Sequence, residues 1–256
     1  RGRYRHNSLM YILAKDFNDP TQTEKAFEND YVSVNGKPVG IDYVVKHNDF
    51  IENKAHRHEL PVVDKEIKIV HDDEEMLVVD KPSSIPIHPR GRYRHNSLMY
   101  ILAKDFNYLK LKAFHRIDRM ASGLMVFPKT DKKIVELSKA IENRRIERTM
   151  VCKVDGDFPE DIKLCEEPIG QLDYQTGLHA VDQEKGKPAK STFEKVSYDA
   201  ASNTSIVKCM AHTGISHQLR VHLQWLGHPV TNDLLYNSLL WGPEKGKKGN
   251  YGKPRE

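Results

Sequence analysis

Residues 113–127 read Ala-Phe-His-Arg-Ile-Asp-Arg-Met-Ala-Ser-Gly-Leu-Met-Val-Phe, which places the carboxylate of Asp118 between Arg116 and Arg119. A Ser-Gly turn and a short apolar run follow, and this run is typical of a buried strand. Two neighbouring guanidinium groups favour the charged form of a carboxylic acid. Such a carboxylate can act as a nucleophile or a base. The same spacing also suits a structural ion pair.

Two further segments, one on each side of this stretch, carry distinctive patterns. Residues 81–89 read Lys-Pro-Ser-Ser-Ile-Pro-Ile-His-Pro, and residues 213–222 read Thr-Gly-Ile-Ser-His-Gln-Leu-Arg-Val-His. The three segments resemble, in the same order, the Lys-Pro-Ala-Gly-x-x-Val-His-Pro, His-Arg-Leu-Asp-Arg-x-Thr-Ser-Gly-Leu and Thr-Gly-Arg-Thr-His-Gln-Ile-Arg-Val-His motifs of RluA-type RNA pseudouridine synthases. The resemblance covers about residues 31–241 and is strongest to eukaryotic members that act on tRNA or mRNA.

The resemblance implies an enzyme that isomerises uridine to pseudouridine in RNA. The uracil leaves its ribose, turns and rejoins through carbon, and a uridine flipped out of its stack into a closed pocket provides the geometry. Since no redox or phosphoryl-transfer step occurs, we expect neither a metal nor an organic cofactor. We expect a monomer that binds RNA, with tRNA favoured over mRNA and rRNA, and that does not bind membranes.

The same resemblance identifies candidate catalytic residues. Asp118 corresponds to the catalytic carboxylate, and either a covalent adduct or proton abstraction would suit it. Arg220 corresponds to the basic residue that pairs with this carboxylate, although by spacing alone it also suits an ordinary ion pair.

Four more basic residues are candidates for substrate binding. Arg116 matches an arginine that fills the space left by the flipped base, a role that suits a planar cation able to stack. His115 can contact a phosphate or brace its loop. Lys81 and His88 are expected to line the RNA-facing loop, although Lys81 also suits a solvated strand end.

Three departures from the family pattern leave a second interpretation open. Met150 stands where the family carries an active-site tyrosine, so a hydroxyl group is missing. Ile215 replaces the arginine of Thr-Gly-Arg, and the family's closing segment has no counterpart before Glu256. The alternative is therefore a catalytically impaired RNA-binding pseudoenzyme of the same family.

Other chemical classes find less support in the sequence. A glycoside hydrolase would need an acid and a nucleophile, but Glu136, Glu142 and Asp155 fall in no motif near Asp118. A scaffold that binds no nucleic acid is a further alternative. A metal site at His56 and His58 would lack further ligands at zinc spacing.

Composition agrees with an RNA-binding protein without requiring one. The 256 residues carry a net charge of +4 and are 38% hydrophobic, and basic residues cluster at residues 90–95 and 245–253. Three cysteines without C-x-x-C spacing fit a reducing, intracellular compartment. We expect the cytoplasm or the nucleus, with the mitochondrion left open.

The sequence predicts an α+β protein, and the resemblance adds the pseudouridine synthase fold. That fold has a largely antiparallel mixed sheet, flanking helices and a central RNA-binding cleft. Alternation predicts strands at residues 67–70, 76–79, 149–154, 191–198 and 205–211. Capping patterns predict two helices, with Asp131 and Ser216 as their N-cap residues.

Four segments are expected along the chain. Residues 1–18 recur letter for letter as residues 90–107, and the first copy is expected to pack poorly. Asn35-Gly36 is a good hairpin turn within a stretch that resembles the later part of an S4-type RNA-binding module. The expected segments are a duplicated, poorly ordered N-terminal segment at 1–30, an S4-like remnant at 31–63, a catalytic domain at 64–241 and a disordered basic tail at 242–256.

Overall fold

The structure is a computed structural model that describes residues 8–17, 20–54, 58–143, 145–173 and 177–238. The chain forms two compact units. The first contains the described parts of Arg1–Lys65 and Ser83–Leu109, and the second those of Glu66–Pro82 and Lys110–Glu256. The predicted boundary near residue 64 lies close to the break after Lys65, but residues 83–109 cluster with the first unit. The predicted tail at 242–256 lies outside the described residues.

The first unit combines a small antiparallel sheet with three short helices. Its strands have the order β2-β1-β3, and the β1–β2 turn has positive φ at Asn35 (52°) and Gly36 (77°), as two-residue hairpins require. This confirms the predicted turn. The elements are α1 (Leu9–Phe17), α2 (Pro20–Glu28), β1 (Val32–Val34), β2 (Lys37–Pro38), β3 (Ile51–Asn53) and α3 (Leu98–Asp105).

The core of the first unit contains part of the duplicated segment. Leu9 and Leu13, spaced i, i+4 on α1, are buried in a cluster with Phe27, Val32 and Val34. Helices α1 and α2 precede β1, although the sequence resembled only the later part of an S4-type module. The expectation of poor packing does not hold for these two leucines, and residues 1–7 lie outside the described part of the chain.

The second unit is built on three antiparallel sheets. Its sheet orders are β4-β5-β6, β7-β12-β11-β8 and β9-β10. The elements are β4 (Lys68–Asp72), β5 (Met76–Lys81), β6 (Gly123–Pro128), α4 (Asp131–Glu142), β7 (Thr149–Asp155), β8 (Lys163–Cys165), β9 (Ile169–Asp173), β10 (Leu178–Val181), β11 (Ser191–Asp199), β12 (Thr204–Ala211) and α5 (Gln218–Trp225).

The predicted strands and the α+β class are confirmed, whereas both predicted N-caps shift by one residue. Thr130, not Asp131, caps α4, because its side chain accepts a hydrogen bond from the Lys133 amide at 3.2 Å. His217, not Ser216, occupies the cap position of α5, with a left-handed φ of 58° and no side-chain cap bond.

Helix α5 is held between two apolar clusters of the second unit. Leu223 packs in a cluster with Phe158, Phe193 and other residues of the four-stranded sheet, while Val221 packs in a cluster with Ile169 and other residues near β9 and β10. Both helix residues are fully buried. This double anchorage limits rotation of α5 and so restricts the direction in which its polar residues point.

Candidate active site

Asp118 lies on a short irregular segment that is braced on β6. The Phe114 amide donates to the Val126 carbonyl at 3.2 Å, and the Val126 amide donates to Nε2 of His115 at the same distance. A turn closed by the Ala121 amide and the Asp118 carbonyl follows, at 3.1 Å. The apolar run that the sequence predicted to be a strand is β6, so the buried strand fixes the segment that carries the carboxylate.

Arg220 on α5 meets this carboxylate directly. Its Nη1 donates to Oδ2 of Asp118 at 2.7 Å, although the two residues are 102 positions apart in sequence. The side chain of Asp118 remains 32% exposed and that of Arg220 25% exposed. Within the described part of the chain, Oδ1 of Asp118 has no hydrogen-bond donor. The structure therefore joins the two residues that the sequence singles out in one ion pair, and the second oxygen of the Asp118 carboxylate stays unbonded within the described residues.

A second carboxylate, that of Asp233, fixes the same guanidinium. Nε and Nη2 of Arg220 donate to both Asp233 oxygens at 2.6 and 2.9 Å, and the Leu235 and Tyr236 amides donate to Oδ1 at 2.9 and 3.0 Å. The Asp233 side chain is only 4% exposed. Burial opposes its ionisation, but the Arg220 hydrogen bonds and charge prevail and lower its pKa. Burial likewise disfavours the charged Arg220, yet the bonds to Asp233 raise its pKa above the usual value.

The aromatic ring of Tyr236 packs against the guanidinium of Arg220. Its ring centroid lies 4.7 Å from the guanidinium carbon, within cation–π range, and the residue is fully buried. Its hydroxyl lies 2.7 Å from Nδ1 of His217 and accepts from the His179 amide at 3.1 Å. His217 is the residue with φ of 58°, so Tyr236 also stabilises an unusual backbone conformation at the start of α5.

Lys81 is placed differently from the expectation that it lines an RNA-facing loop. Burial alternates along β5, so Lys81 shares the buried face with Leu77 and Val79. Its Nζ donates to the carbonyls of Pro82 and Arg119 at 2.8 and 3.2 Å. Burial lowers the pKa of Lys81 to about 8, against the attraction of the nearby Asp118 charge.

The remaining predicted binding residues differ in burial: His115 is partly buried, whereas Arg116 and His88 are exposed. His115 accepts a backbone hydrogen bond and thus braces its loop, and burial, aided by the charge of Arg148, lowers its pKa. Arg116 is exposed, as a residue that contacts RNA must be. His88 is also exposed, and it belongs to the first unit.

The two positions that depart from the family pattern lie in regular surroundings. Met150 on β7 is half-buried and pairs with Cys209 on β12. Ile215 packs against the cluster that contains Tyr236, and its amide donates to Oε1 of Gln218 at 3.1 Å. Both substitutions are therefore accommodated without an unpaired polar group at either side chain.

The described residues show neither a cluster that could ligate a metal nor a helix that could cross a membrane. They contain no group of three His, Cys, Asp or Glu residues arranged to hold a metal ion. His56, one of the two histidines considered as a ligand, lies outside them. No helix in the described segments has the length and apolar character that crossing a bilayer requires.

Three residues of the site, Asp233, Tyr236 and His217, were missed from the sequence. Gly227 and Pro229 are typical of a helix end and so indicate only where α5 stops. Asp233 followed by two apolar residues and a tyrosine is a turn signal, since an aspartate can cap the amides two and three positions later. That signal predicts the turn but not the partner Arg220.

Solved structures of other proteins share this fold. The chain is similar to human RNA pseudouridylate synthase domain containing 1, with a TM-score of 0.59 and 23% identity over 72% of this chain and 75% of the other. Human RNA pseudouridylate synthase domain containing 4 gives a TM-score of 0.53 and 22% identity over 67% and 69% of the chains. At these identities the likeness establishes the fold.

Sequence comparison then gives the family. Residues 75–225, which include Asp118 and Arg220, match the family model described as RNA pseudouridylate synthase. The chain is 40% identical over 259 residues to human pseudouridylate synthase RPUSD2, covering 100% of this chain and 47% of the relative. The chain belongs to the RNA pseudouridylate synthase family.

Two other relatives extend this comparison. The mitochondrial tRNA pseudouridine(32) synthase of Saccharomyces cerevisiae is 39% identical over 96% of this chain and 54% of its own length. The dual-specificity RNA pseudouridine synthase RluA of Vibrio vulnificus is 31% identical over 69% of this chain and 72% of its own length. The chain spans about half the length of the eukaryotic relatives named here.

Proposed function

We propose that this chain isomerises uridines in RNA to pseudouridine, with tRNA as the favoured substrate. The observation that carries the proposal is the Asp118 carboxylate, which Arg220 holds at 2.7 Å while one oxygen stays available. Both residues lie in the segment that matches the family model. The name of the yeast relative, which specifies tRNA, favours this RNA class, with mRNA and rRNA as alternatives.

The reaction breaks the bond between ribose C1′ and uracil N1 and forms a bond between C1′ and C5. N1 gains a proton and C5 loses one, so the atoms balance without an oxidant or a second substrate. Asp118 would act on the ribose as nucleophile or base, and both roles need an ionised oxygen with a free lone pair. Arg220 keeps this oxygen in place, while Arg116 would occupy the space that the flipped base leaves.

The loss of hydrogen from C5 gives the test. Purified protein is incubated with unfractionated tRNA that carries tritium at C5 of its uridines, and tritium released into water is counted. We expect release by the parent, and Asp118→Asn should reduce the rate by about 10³-fold or more, because an amide is neither a base nor a nucleophile. Equal release by both proteins would refute the role of Asp118.

The same experiment separates the enzyme from the impaired pseudoenzyme. An RNA-binding protein that lacks activity because Met150 replaces a tyrosine would bind tRNA and release no tritium. A cooperative thermal melt of the parent would then show that the loss is chemical and not a failure to fold.

Further features of the proposal concern assembly and location. The first-unit sheet supports an S4-like RNA-binding remnant at residues 31–63. We propose that the chain acts as a monomer, which sedimentation at micromolar concentration would check. The mitochondrial relative supports an intracellular compartment that contains RNA, including the mitochondrion.

A further inference from the structure

A loop of the first unit carries three arginines that the proposed chemistry does not use. Residues 88–97, here called the arginine loop, read His-Pro-Arg-Gly-Arg-Tyr-Arg-His-Asn-Ser. The side chains of Arg90, Arg92 and Arg94 are exposed. Three like charges within five residues repel one another, so an ordered arrangement needs a structural cause.

The two ends of the arginine loop are fastened together. The Leu98 amide donates to the Pro86 carbonyl at 2.8 Å, and the Met99 amide donates to the Ile87 carbonyl at 3.1 Å. Ile87 and Leu98 are buried, which anchors both ends of the loop in the first unit. The loop is thus a closed surface projection with a fixed base.

The carboxylate of Glu59 organises the middle of the loop. It accepts hydrogen bonds from the three consecutive amides of Arg94, His95 and Asn96, each at 2.8 Å. Its side chain is 17% exposed. Burial opposes its ionisation, but the three amide bonds together lower its pKa to about 2, so it is charged at neutral pH.

This arrangement directs the negative charge to the backbone and leaves the arginine side chains for another partner. Beside them lies an open recess of about 260 Å³, lined by Pro89, Arg90, Gly91, Tyr93 and Arg94. Pockets for small organic ligands occupy roughly 300–1,000 Å³ and enclose their ligand. An open recess between arginines suits a phosphate group instead, which a guanidinium binds through two parallel hydrogen bonds.

We propose that the arginine loop is a phosphate-binding surface for the RNA substrate, and that Glu59 is the positioning residue that holds it in shape. The choice of RNA as the polyanion rests on the proposed function. The loop itself is argued from the Glu59 bonds, the fastened ends and the exposed arginines of the first unit.

The first test removes the charges and uses the duplicated sequence as its control. One variant changes Arg90, Arg92 and Arg94 to alanine, and the matched control changes Arg1, Arg3 and Arg5, which stand in the same sequence context. Binding of fluorescein-labelled unfractionated tRNA is followed by anisotropy from 50 to 300 mM salt. Each lost phosphate contact lowers the slope of log affinity against log salt by about 0.7.

We expect the loop variant to bind tRNA at least about tenfold more weakly and the slope of log affinity against log salt to fall by about 2. In the control variant, both the affinity and the slope should change by less. Equal losses in both variants would mean that only net charge matters and would overturn the proposal. Loss of binding to an acidic peptide, with tRNA binding unchanged, would assign the loop to a protein partner and would also overturn it.

The second test changes Glu59, and its outcome depends on whether tRNA binding becomes weaker or tighter. Glu59→Ala removes a negative charge, so simple electrostatics predicts tighter tRNA binding. The proposal predicts weaker binding, by about threefold or more, because the amides of the loop lose their acceptor. Glu59→Gln should recover part of the loss, since it keeps one acceptor oxygen. Asp42→Ala, at an exposed carboxylate of the same unit, should cause none.

A thermal melt of each variant checks that the fold survives, and the arginine variant still decides the question if Glu59→Ala unfolds. Tighter binding by a folded Glu59→Ala would overturn the positioning role. Tritium release by the parent is measured separately on the same tRNA. A parent that binds tRNA but releases no tritium refutes the proposed function, while the binding comparison still decides the role of the loop.

Discussion

Asp118 and Asp233 meet the same guanidinium, that of Arg220, in opposite surroundings. Asp118 is 32% exposed and accepts one hydrogen bond from Arg220, whereas Asp233 is 4% exposed and accepts two from Arg220 and two from backbone amides. Both are carboxylates on irregular segments of the second unit. The two carboxylates differ in how many of their oxygen lone pairs already accept a hydrogen bond.

This contrast separates a reacting group from a positioning group. A carboxylate with four donors is stabilised as an anion and has little capacity left for a substrate. A carboxylate with one donor keeps its second oxygen available but still has its position fixed. We infer that Asp233 holds Arg220, and that Arg220 in turn holds Asp118 without saturating it.

The largest expected effect on stability comes from Asp233→Ala. Asp233 is a buried carboxylate that accepts two hydrogen bonds from Arg220. Its removal leaves the partly buried Arg220 charge without this partner, which typically costs about 3–5 kcal/mol. We expect a loss of about 3 kcal/mol in the free energy of unfolding, measured by urea titration with far-UV circular dichroism. Asp118→Asn should change this free energy by less than about 1 kcal/mol, since its pair with Arg220 is partly exposed.

The pH dependence of the same pair has a definite sign. The pKa of Asp233 is lowered on folding, so its contribution is present above the unfolded value of 3.8 and is lost as the pH falls. The stability gap between the parent and Asp233→Asn should therefore narrow below about pH 4. A gap that is constant from pH 7 to pH 3 would contradict the pairing.

The next effect concerns Lys81, the buried cation near Asp118. Lys81→Met removes the donor from the Pro82 and Arg119 carbonyls, at a cost of about 1–3 kcal/mol near pH 9. Because burial lowers the pKa of Lys81 to about 8, the parent binds fewer protons than the unfolded chain between about pH 8 and 10.5. Its stability relative to Lys81→Met should rise across that window, by at most about 3 kcal/mol.

The control for this prediction is Lys104→Met, at an exposed lysine of α3. Its stability relative to the parent should not depend on pH in the same window. If Lys81→Met shows no dependence either, burial does not lower the pKa of Lys81.

The smallest effect is expected from Tyr236→Phe. This variant keeps the ring beneath Arg220 but removes the hydroxyl that joins the His179 amide to Nδ1 of His217. We expect a loss of about 1 kcal/mol in stability and less than tenfold in tritium release. A loss as large as that of Asp233→Ala would show that the hydroxyl, and not the ion pair, positions Arg220.

The sequence predicted the parts of the site that depend on local pattern. The strands followed from alternation, whereas the pairing of Asp118 with Arg220 came only from the resemblance to the family and not from spacing. Lys81 was misplaced because its charge suggested exposure, whereas its strand position decided its burial. The alternation of Leu77, Val79 and Lys81 contained this information.

Long-range contacts account for what the sequence did not predict. Nothing local to Asp233 indicates that its carboxylate reaches Arg220, which lies 13 positions earlier on α5. His217, whose φ is left-handed, is likewise contacted through its ring by the hydroxyl of Tyr236, 19 positions later in the sequence. Burial of α1 also depends on residues far along the chain, since Leu9 donates its amide to the Tyr43 carbonyl at 2.9 Å.

The most direct test of the central claim measures pseudouridine itself. Nucleosides from treated tRNA are separated by chromatography and quantified for the parent, Asp118→Asn and Asp233→Asn, beside the unfolding free energy of each protein. We expect new pseudouridine from the parent, none from a fully stable Asp118→Asn, and a reduced amount from a less stable Asp233→Asn. Undiminished pseudouridine from a stable Asp118→Asn would contradict it.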